Sequence, residues 1–190
     1  MTHLGNGLYS AEHFEDALTV QEAELSTLRR LGVSEASILV TQGNLACTYQ
    51  SLQQHEHALS IRRDVYSGWL KLYGEEDADT LREALNYAVS LANLGRRKEA
   101  KTLMRKTAPV ARRVYGESHE LTIKMKWNYT AALVRTDGAT LDDLREAVTT
   151  LEETARTARR VFGSAHPTTE GIERSLRNAR ATLRARDTSL

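Results

Sequence analysis

Apolar residues recur along this chain at intervals of three and four positions, the spacing of one face of an α-helix. Residues 80–115 show the pattern twice. The two stripes are Leu81, Leu85, Ala88 and Leu91, and then Ala100, Leu103, Met104, Val110 and Val114. Turn-forming residues separate the stripes, so the pattern predicts two amphipathic helices joined by a short connection.

The pattern repeats along the chain with a period of 42 residues. Three sets of residues show this period: Asn44, Asn86 and Asn128; Gly32, Gly74, Gly116 and Gly163; Ala58, Ala100 and Ala147. The last step of the glycine set and of the alanine set is 47 residues instead of 42. Self-similarity at a fixed period of about 20 to 50 residues indicates stacked supersecondary units. The chain is therefore predicted to be an all-α solenoid of helix pairs.

Particular residues predict where the helices end and begin. Gly163 suits the left-handed backbone that closes a helix, and Pro167 suits the first turn of the next one. His119 and His166 recur at this corner of the repeat. At such a corner, capping a helix or packing the loop is favoured over metal binding or catalysis.

Two segments depart from the repeat. Residues 1–8 are too short for a full first helix, so we expect the array to open with an unpaired helix over about residues 10–31. In the last hairpin the asparagine-to-alanine distance grows from 14 residues to 19, which inserts a loop at residues 136–141. We expect this loop to be exposed, with Thr140 and Asp143 forming a capping box behind it.

The second half of the chain predicts two further features. Pro109 falls inside a helix and should bend it, because proline cannot donate the helical hydrogen bond. Beyond Thr169, a final helix is predicted to cap the stack, with one polar stripe of arginines at positions 174, 177, 180 and 184. The stripe lacks interleaved aromatic residues, which disfavours nucleic-acid binding.

Composition agrees with a helical protein of 190 residues. Hydrophobic residues make up 41% and charged residues 27%, whereas aromatic residues reach only 6% and prolines number 2. These values disfavour β-sandwiches and disordered linkers. The single Cys47 cannot form an internal disulfide, and no N-terminal run resembles a secretion signal, so we expect a cytoplasmic protein. No window approaches the roughly 18 apolar residues that a membrane span needs.

Charge is distributed unevenly although the net charge is only +1. Residues 1–95 carry 6 basic and 13 acidic residues, a net charge of −7, and residues 96–190 carry 20 and 12, a net charge of +8. Opposite halves of two copies could associate head to tail, or the basic half could attract an acidic peptide. The alternative is that both are solvated surfaces without a partner.

Several segments together resemble the tetratricopeptide repeat family, and more narrowly its kinesin light chain variety with long repeats. They are Asn-Leu-Ala at 44–46, Asn-Tyr-Ala at 86–88, Leu-Gly at 94–95 before Lys-Glu-Ala at 98–100, and Gly163 to Pro167 with Thr169. The resemblance implies a right-handed superhelix whose first helices line a concave groove. The whole chain, 1–190, is then one array: a partial repeat at 9–37, repeats at 38–79, 80–121 and 122–168, and the capping helix at 169–190.

The resemblance also implies which residues bind a peptide. In the family, asparagine at the place of Asn44, Asn86 and Asn128 holds the backbone of an extended peptide. Helical spacing puts further residues on the same face: Val40, Arg82 and Lys124 one turn earlier, and Ser51, Asn93 and Arg135 two turns later. Arg82, Lys124 and Arg135 would form a basic strip that favours an acidic peptide or a terminal carboxylate. Alternatively, the amides tie neighbouring repeats together and the cations are merely solvated.

Enzyme chemistry has little support in the sequence. There is no glycine-rich phosphate loop, His-Glu-x-x-His pair, Cys-x-x-Cys motif or serine elbow, and no metal or cofactor is predicted. His55 and His57 would diverge on a helix, and Cys47, Trp69 and Trp127 are best explained as packed residues. The sequence favours a non-catalytic protein-interaction adaptor that binds an acidic peptide. The alternative is a scaffold subunit that associates through its convex faces and ends.

Overall fold

The computed structural model describes residues 2–187, and throughout this range the backbone is helical apart from short connections. The all-helical fold predicted from the periodicity is therefore confirmed for these residues. The chain divides into two compact units, Met1–Leu94 and Gly95–Leu190.

The first unit contains five helices within its described residues. They are α1 (Thr2–Ser10), α2 (Phe14–Arg30), α3 (Glu35–Ser51), α4 (His55–Tyr73) and α5 (Ala78–Asn93). Each helix packs against the next one in sequence. The connections are only three or four residues long, which makes successive helices antiparallel neighbours.

The start of the chain differs from the prediction. Thr2–Ser10 forms α1 and packs against α2, so the expectation of an unpaired opening helix is wrong. The segment is a poor helix by propensity because it contains two glycines, but tertiary contacts hold it. A β-carbon at Gly5 would lie 2.9 Å from Gln21 Cγ, so glycine allows α2 to approach closely. The Tyr9 ring also packs edge-on against Phe14, with 5.4 Å between ring centroids.

The second unit contains four helices within its described residues. They are α6 (Arg97–Tyr115), α7 (Glu120–Arg135), α8 (Leu141–Phe162) and α9 (Pro167–Asp187). The predicted final helix is thus present, and α9 packs against both α8 and α7. Its buried face joins a core that includes Ile123, Leu151 and Ile172. α6 continues through Pro109 to Tyr115, so the proline does not end the helix; the bend expected there stays a prediction.

Helix corners follow the predicted pattern. Gly74, Gly116 and Gly163 have φ values of +83°, +81° and +89° and end α4, α6 and α8. His119 Nδ1 accepts a hydrogen bond from the Leu121 backbone N–H at 3.2 Å, and His166 Nδ1 accepts one from Thr168 at 3.2 Å. The capping role predicted for both histidines is therefore confirmed.

The inserted loop at residues 136–141 is only partly exposed. Asp137 and Gly138 lie in solvent as expected, but Thr136 and Ala139 are 9% and 3% exposed. The loop folds back because the Ala139 N–H donates to the Thr136 carbonyl at 3.0 Å, which turns the alanine methyl group inward. The predicted capping box is confirmed, since Thr140 and Asp143 exchange hydrogen bonds of 3.1 Å.

Candidate functional site

Two adjoining clefts open on the first unit. The first, here called the Trp69 cleft, has a volume of about 270 Å³ and runs between α3 and α5 over Trp69 of α4. The second, here called the Tyr9 cleft, has about 480 Å³ and lies between α1, α3 and α5. Cys47, Arg62 and Asn86 line both clefts, so together the clefts form one continuous surface.

The structure gathers most of the candidate residues of the first unit at these clefts. Asn44, Asn86 and Arg82 line the Trp69 cleft, and Ser51 lines the Tyr9 cleft beside Asn86. Both asparagines are half-buried. Asn93 is exposed on α5 and lines neither cleft.

The other candidates, Lys124, Asn128 and Arg135, lie on α7 of the second unit. The Asn128 side-chain amide donates from Nδ2 to the backbone carbonyl of Lys124 at 2.9 Å, which fixes it against its own helix. Arg135 is exposed, and no carboxylate among the described residues forms an ion pair with it. It is therefore available to an acidic ligand.

Two of the three predicted basic residues already have acidic neighbours. The Arg82 guanidinium pairs with Asp79, three residues earlier on α5. Lys124 Nζ lies 2.5 Å from Glu120 Oε1, and this hydrogen bond lowers the pKa of the Glu120 carboxyl. All four side chains are more than a third exposed, and such surface pairs contribute only about 0 to 1 kcal/mol. An anionic ligand can therefore compete for these cations at small cost.

A buried network below the clefts was missed by the sequence analysis. Arg62 of α4 is 3% exposed, and its Nη1 lies 2.8 Å from Oε2 of Glu83 on α5. Arg62 Nη2 donates to Cys47 Sγ at 2.8 Å, and Asn86 Nδ2 donates to Glu83 Oε1 at 2.9 Å. One guanidinium thus links α3, α4 and α5 directly beneath the candidate asparagine.

The sequence carries a signal for this network. Arg62 occupies the repeat position that Met104 and Leu151 occupy in the following repeats, and Glu83 occupies the position of Met125. All three of those apolar residues are fully buried. A basic and an acidic residue at positions that are otherwise buried and apolar indicate an internal ion pair.

Further clefts of similar volume lie on a different face of α7 among the described residues of the second unit, and the sequence analysis did not predict them. One, of about 280 Å³, lies between Arg105, Pro109, Tyr129 and Glu146, and another, of about 470 Å³, lies beside Arg156 and Arg160. Lys126 lines both. Its Nζ is 2.6 Å from Glu117 Oε2, so this lysine is already neutralised.

Other site chemistries find no support within residues 2–187. These residues contain no group of three or more histidine, cysteine, aspartate or glutamate side chains that could hold a metal ion. In the same range, no helix is long and apolar enough to cross a membrane. Trp69 is 6% exposed, and the Trp127 ring packs against the core of the second unit, which agrees with the packing roles predicted for both.

Comparison with known proteins gives a consistent family assignment. Residues 38–79, 83–120 and 139–168 match the family model of the tetratricopeptide repeat, and together these segments make up more than half of the chain. A search of curated protein sequences gives no match.

Solved structures of similar fold come from kinesin light chain-like repeat proteins. Two crystal structures of nearly identical TPR-like repeats, assigned to a kinesin light chain of Podosopora anserina, have TM-scores of 0.81 and 0.79. Both are 18% identical and cover 98% of this chain and 86% of theirs. BtubC (BKLC) from P. vanneervenii has a TM-score of 0.60 at 12% identity and covers 98% of this chain and 79% of its own. At these identities the similarity concerns the fold alone.

Proposed function

The chain belongs to the tetratricopeptide repeat family, and from this premise we propose that it binds an extended, acidic peptide segment in the clefts of the first unit, along the helix faces that carry Asn44 and Asn86. We propose separately that the face of α7 that carries Asn128 in the second unit binds acidic segments. Repeats of this family indicate a protein–protein interaction or scaffold module, typically non-catalytic. We propose three things beyond the family assignment: that the ligand is a peptide, that it is acidic, and that it binds at these helix faces.

The observation that carries the proposal is the position of Asn86. Its side chain lines both clefts of the first unit, and Asn44 of α3 lines the Trp69 cleft opposite it. An amide offers both a donor and an acceptor, so it can hold a peptide backbone whatever the side chains of the peptide. The half-buried setting leaves each amide within reach of a ligand in the cleft.

Three observations support a preference for acidic peptides. Arg135 is exposed and has no carboxylate partner within residues 2–187, and the pairs of Arg82 and Lys124 are weak surface pairs. Residues 96–190, which make up almost all of the second unit, carry 20 basic and 12 acidic residues, a net charge of +8. Such a surface attracts anionic segments over a distance and raises their association rate.

A peptide array probed with the purified protein tests the proposal. The array should hold peptides of graded net charge, and fluorescence anisotropy then measures the affinities of the acidic and the neutral peptides that bind. Asn86→Ala should weaken all of them by about threefold to tenfold, the loss of one neutral hydrogen bond. Arg82→Glu should weaken acidic peptides far more than neutral ones and flatten their salt dependence. Arg63→Glu is the control, because Arg63 is exposed on α4 and lies outside both clefts. It should change the affinity neither for acidic nor for neutral peptides.

A second candidate function is assembly through the ends of the molecule. The charge distribution favours it, because the boundary between the two units, after Leu94, falls almost where the charge changes sign. Residues 1–95 have a net charge of −7 and residues 96–190 one of +8. We propose head-to-tail association of copies as this alternative, with the clefts empty. For both candidates we propose a cytoplasmic setting, in which the free thiol of Cys47 would stay reduced.

A further inference from the structure

The Glu83 carboxylate uses its two oxygens on two different partners. Oε2 accepts a hydrogen bond from Arg62 Nη1 at 2.8 Å, and Oε1 accepts one from Asn86 Nδ2 at 2.9 Å. An ionised carboxylate can only accept hydrogen bonds. If the Asn86 amide were reversed, its oxygen would face Glu83 Oε1 and no proton would lie between them. The amide of Asn86 therefore has one favoured orientation.

Arg62 in turn fixes Glu83. Its guanidinium is held from the other side by Cys47 of α3, which accepts from Nη2 at 2.8 Å. The side chains of Arg62 and Glu83 are only 4% and 10% exposed. Such buried pairs add little stability compared with apolar residues, and their better-attested effect is to select one arrangement. The apolar residues Met104 and Met125 at the equivalent positions of the next repeat show that this fold does not require a charge there.

We propose that Glu83, held by Arg62, is a positioning residue that sets the orientation of the Asn86 amide. In that orientation the Asn86 Oδ1 atom and the second Nδ2–H are presented to a bound peptide in a fixed order. The inference rests on the proposed peptide binding at Asn86. Asn128 in the second unit reaches a comparable restraint without a carboxylate, since its Nδ2 donates to a backbone carbonyl.

The first test needs no peptide. Nuclear magnetic resonance of the ¹⁵N-labelled protein resolves the side-chain amide of Asn86, assigned with Asn86→Ala, and that of Asn128 serves as the control in the same spectrum. Glu83→Gln should shift the Asn86 amide resonances and speed its hydrogen exchange by about tenfold or more, because a charge-assisted hydrogen bond is lost. The Asn128 amide should not change. An unchanged Asn86 amide in a folded Glu83→Gln protein would overturn the inference.

A second variant covers the case in which Glu83→Gln fails to fold, since it leaves the Arg62 charge buried without its partner. Arg62→Met combined with Glu83→Met removes both charges and the acceptor of Asn86, and gives positions 62 and 83 the residues found at Met104 and Met125. The combined variant should remain folded and should give the same change at the Asn86 amide. A folded combined variant with an unchanged amide would also overturn the inference.

Peptide affinity then separates positioning from a structural role. For an acidic peptide recovered from the array, the combined variant should bind about threefold to tenfold more weakly than wild type. Adding Asn86→Ala to it should cause no further loss, because both changes remove the same interaction. Additive losses would contradict the positioning role. If wild type binds no peptide, the proposed function fails, and the resonance comparison still decides how the Asn86 amide is held.

Discussion

The Trp127 indole of α7 lies directly against Gly171 of α9. A β-carbon at position 171 would lie 2.5 Å from Trp127 Cη2 and 2.8 Å from Cζ2. One turn further along α9, Ser175 Oγ accepts a hydrogen bond from Trp127 Nε1 at 2.8 Å. The missing side chain of Gly171 thus lets α9 approach α7 closely enough to satisfy the N–H of the half-buried indole.

This contact predicts that Gly171→Ala destabilises the second unit. The added methyl group has to displace a packed ring, and such overpacking costs about 1 to 3 kcal/mol. Gly43→Ala in α3 is the matched control, because a β-carbon there would meet no atom closer than 3.7 Å. The control should gain about 0.4 to 1 kcal/mol from the reduced freedom of the unfolded chain. Urea unfolding of both variants checks the prediction, which fails if the two changes have the same sign.

A second prediction concerns the core of the first unit. Leu45 on α3 is 5% exposed, so Leu45→Asp buries an unpaired charge and should cost about 3 kcal/mol or more. Val40→Asp on the same helix is the control, since Val40 is 47% exposed and its change should stay within about 0.5 kcal/mol. Thermal melts followed by circular dichroism compare them. Equal melting temperatures for the two variants would contradict the assigned helix faces.

Whether a structural feature could be predicted from the sequence depends on whether it is fixed by nearby residues or by tertiary contacts. Helix ends such as Gly163 and His166 were predictable because a capping residue acts within its own turn. The helix at Thr2–Ser10 was not, because its propensity is poor and its stability comes from α2. The same holds for the inward turn of Ala139, which depends on packing around the loop.

The candidate site shows the same difference between local features, which were predictable, and tertiary ones, which were not. Periodicity placed Asn44, Asn86 and Arg82 on one face, and in the structure they line one cleft. The Arg62–Glu83 pair joins residues 21 positions apart on different helices, so periodicity within one helix could not reveal it. Only the comparison of repeats, in which Arg62 replaces an apolar residue, carries that information.

A third prediction concerns acid stability. Lys101 Nζ lies 2.6 Å from Asp143 Oδ1, and this hydrogen bond holds the pKa of the Asp143 carboxyl below its ordinary value of 3.8. A carboxyl whose pKa is lowered by folding stabilises the protein above its unfolded pKa, and this contribution is lost as the pH falls through the folded pKa. Wild type should therefore lose more stability than Asp143→Asn when the pH falls from about 5 to about 3.

Urea unfolding at several pH values in this range measures that difference. Lys101→Met should also reduce the pH dependence, though less than Asp143→Asn, because it removes the largest cause of the lowered pKa and leaves the hydrogen bonds between Asp143 and Thr140. Parallel stability curves for wild type and both variants would show that the pair does not contribute to acid unfolding.

A fourth prediction tests the alternative of assembly. If the acidic half of one copy meets the basic half of another, sedimentation velocity should show association at about 0.05 M salt that weakens at about 0.5 M, because salt screens exposed charges. Arg174→Glu with Arg177→Glu, both exposed on α9, should weaken it further at low salt. A protein that is monomeric at both salt concentrations would remove this alternative.

The most direct test of the central claim is protection of Cys47 from alkylation. Cys47 is the only cysteine of the chain and lines both clefts of the first unit, so a peptide bound there should cover its thiol. With an acidic peptide from the array at ten times its Kd, iodoacetamide should modify Cys47 about tenfold more slowly, because only about a tenth of the clefts remain empty. Asn86→Ala at the same peptide concentration should show weaker protection. An alkylation rate unchanged by a peptide that anisotropy shows to be bound would place that peptide elsewhere and contradict the account.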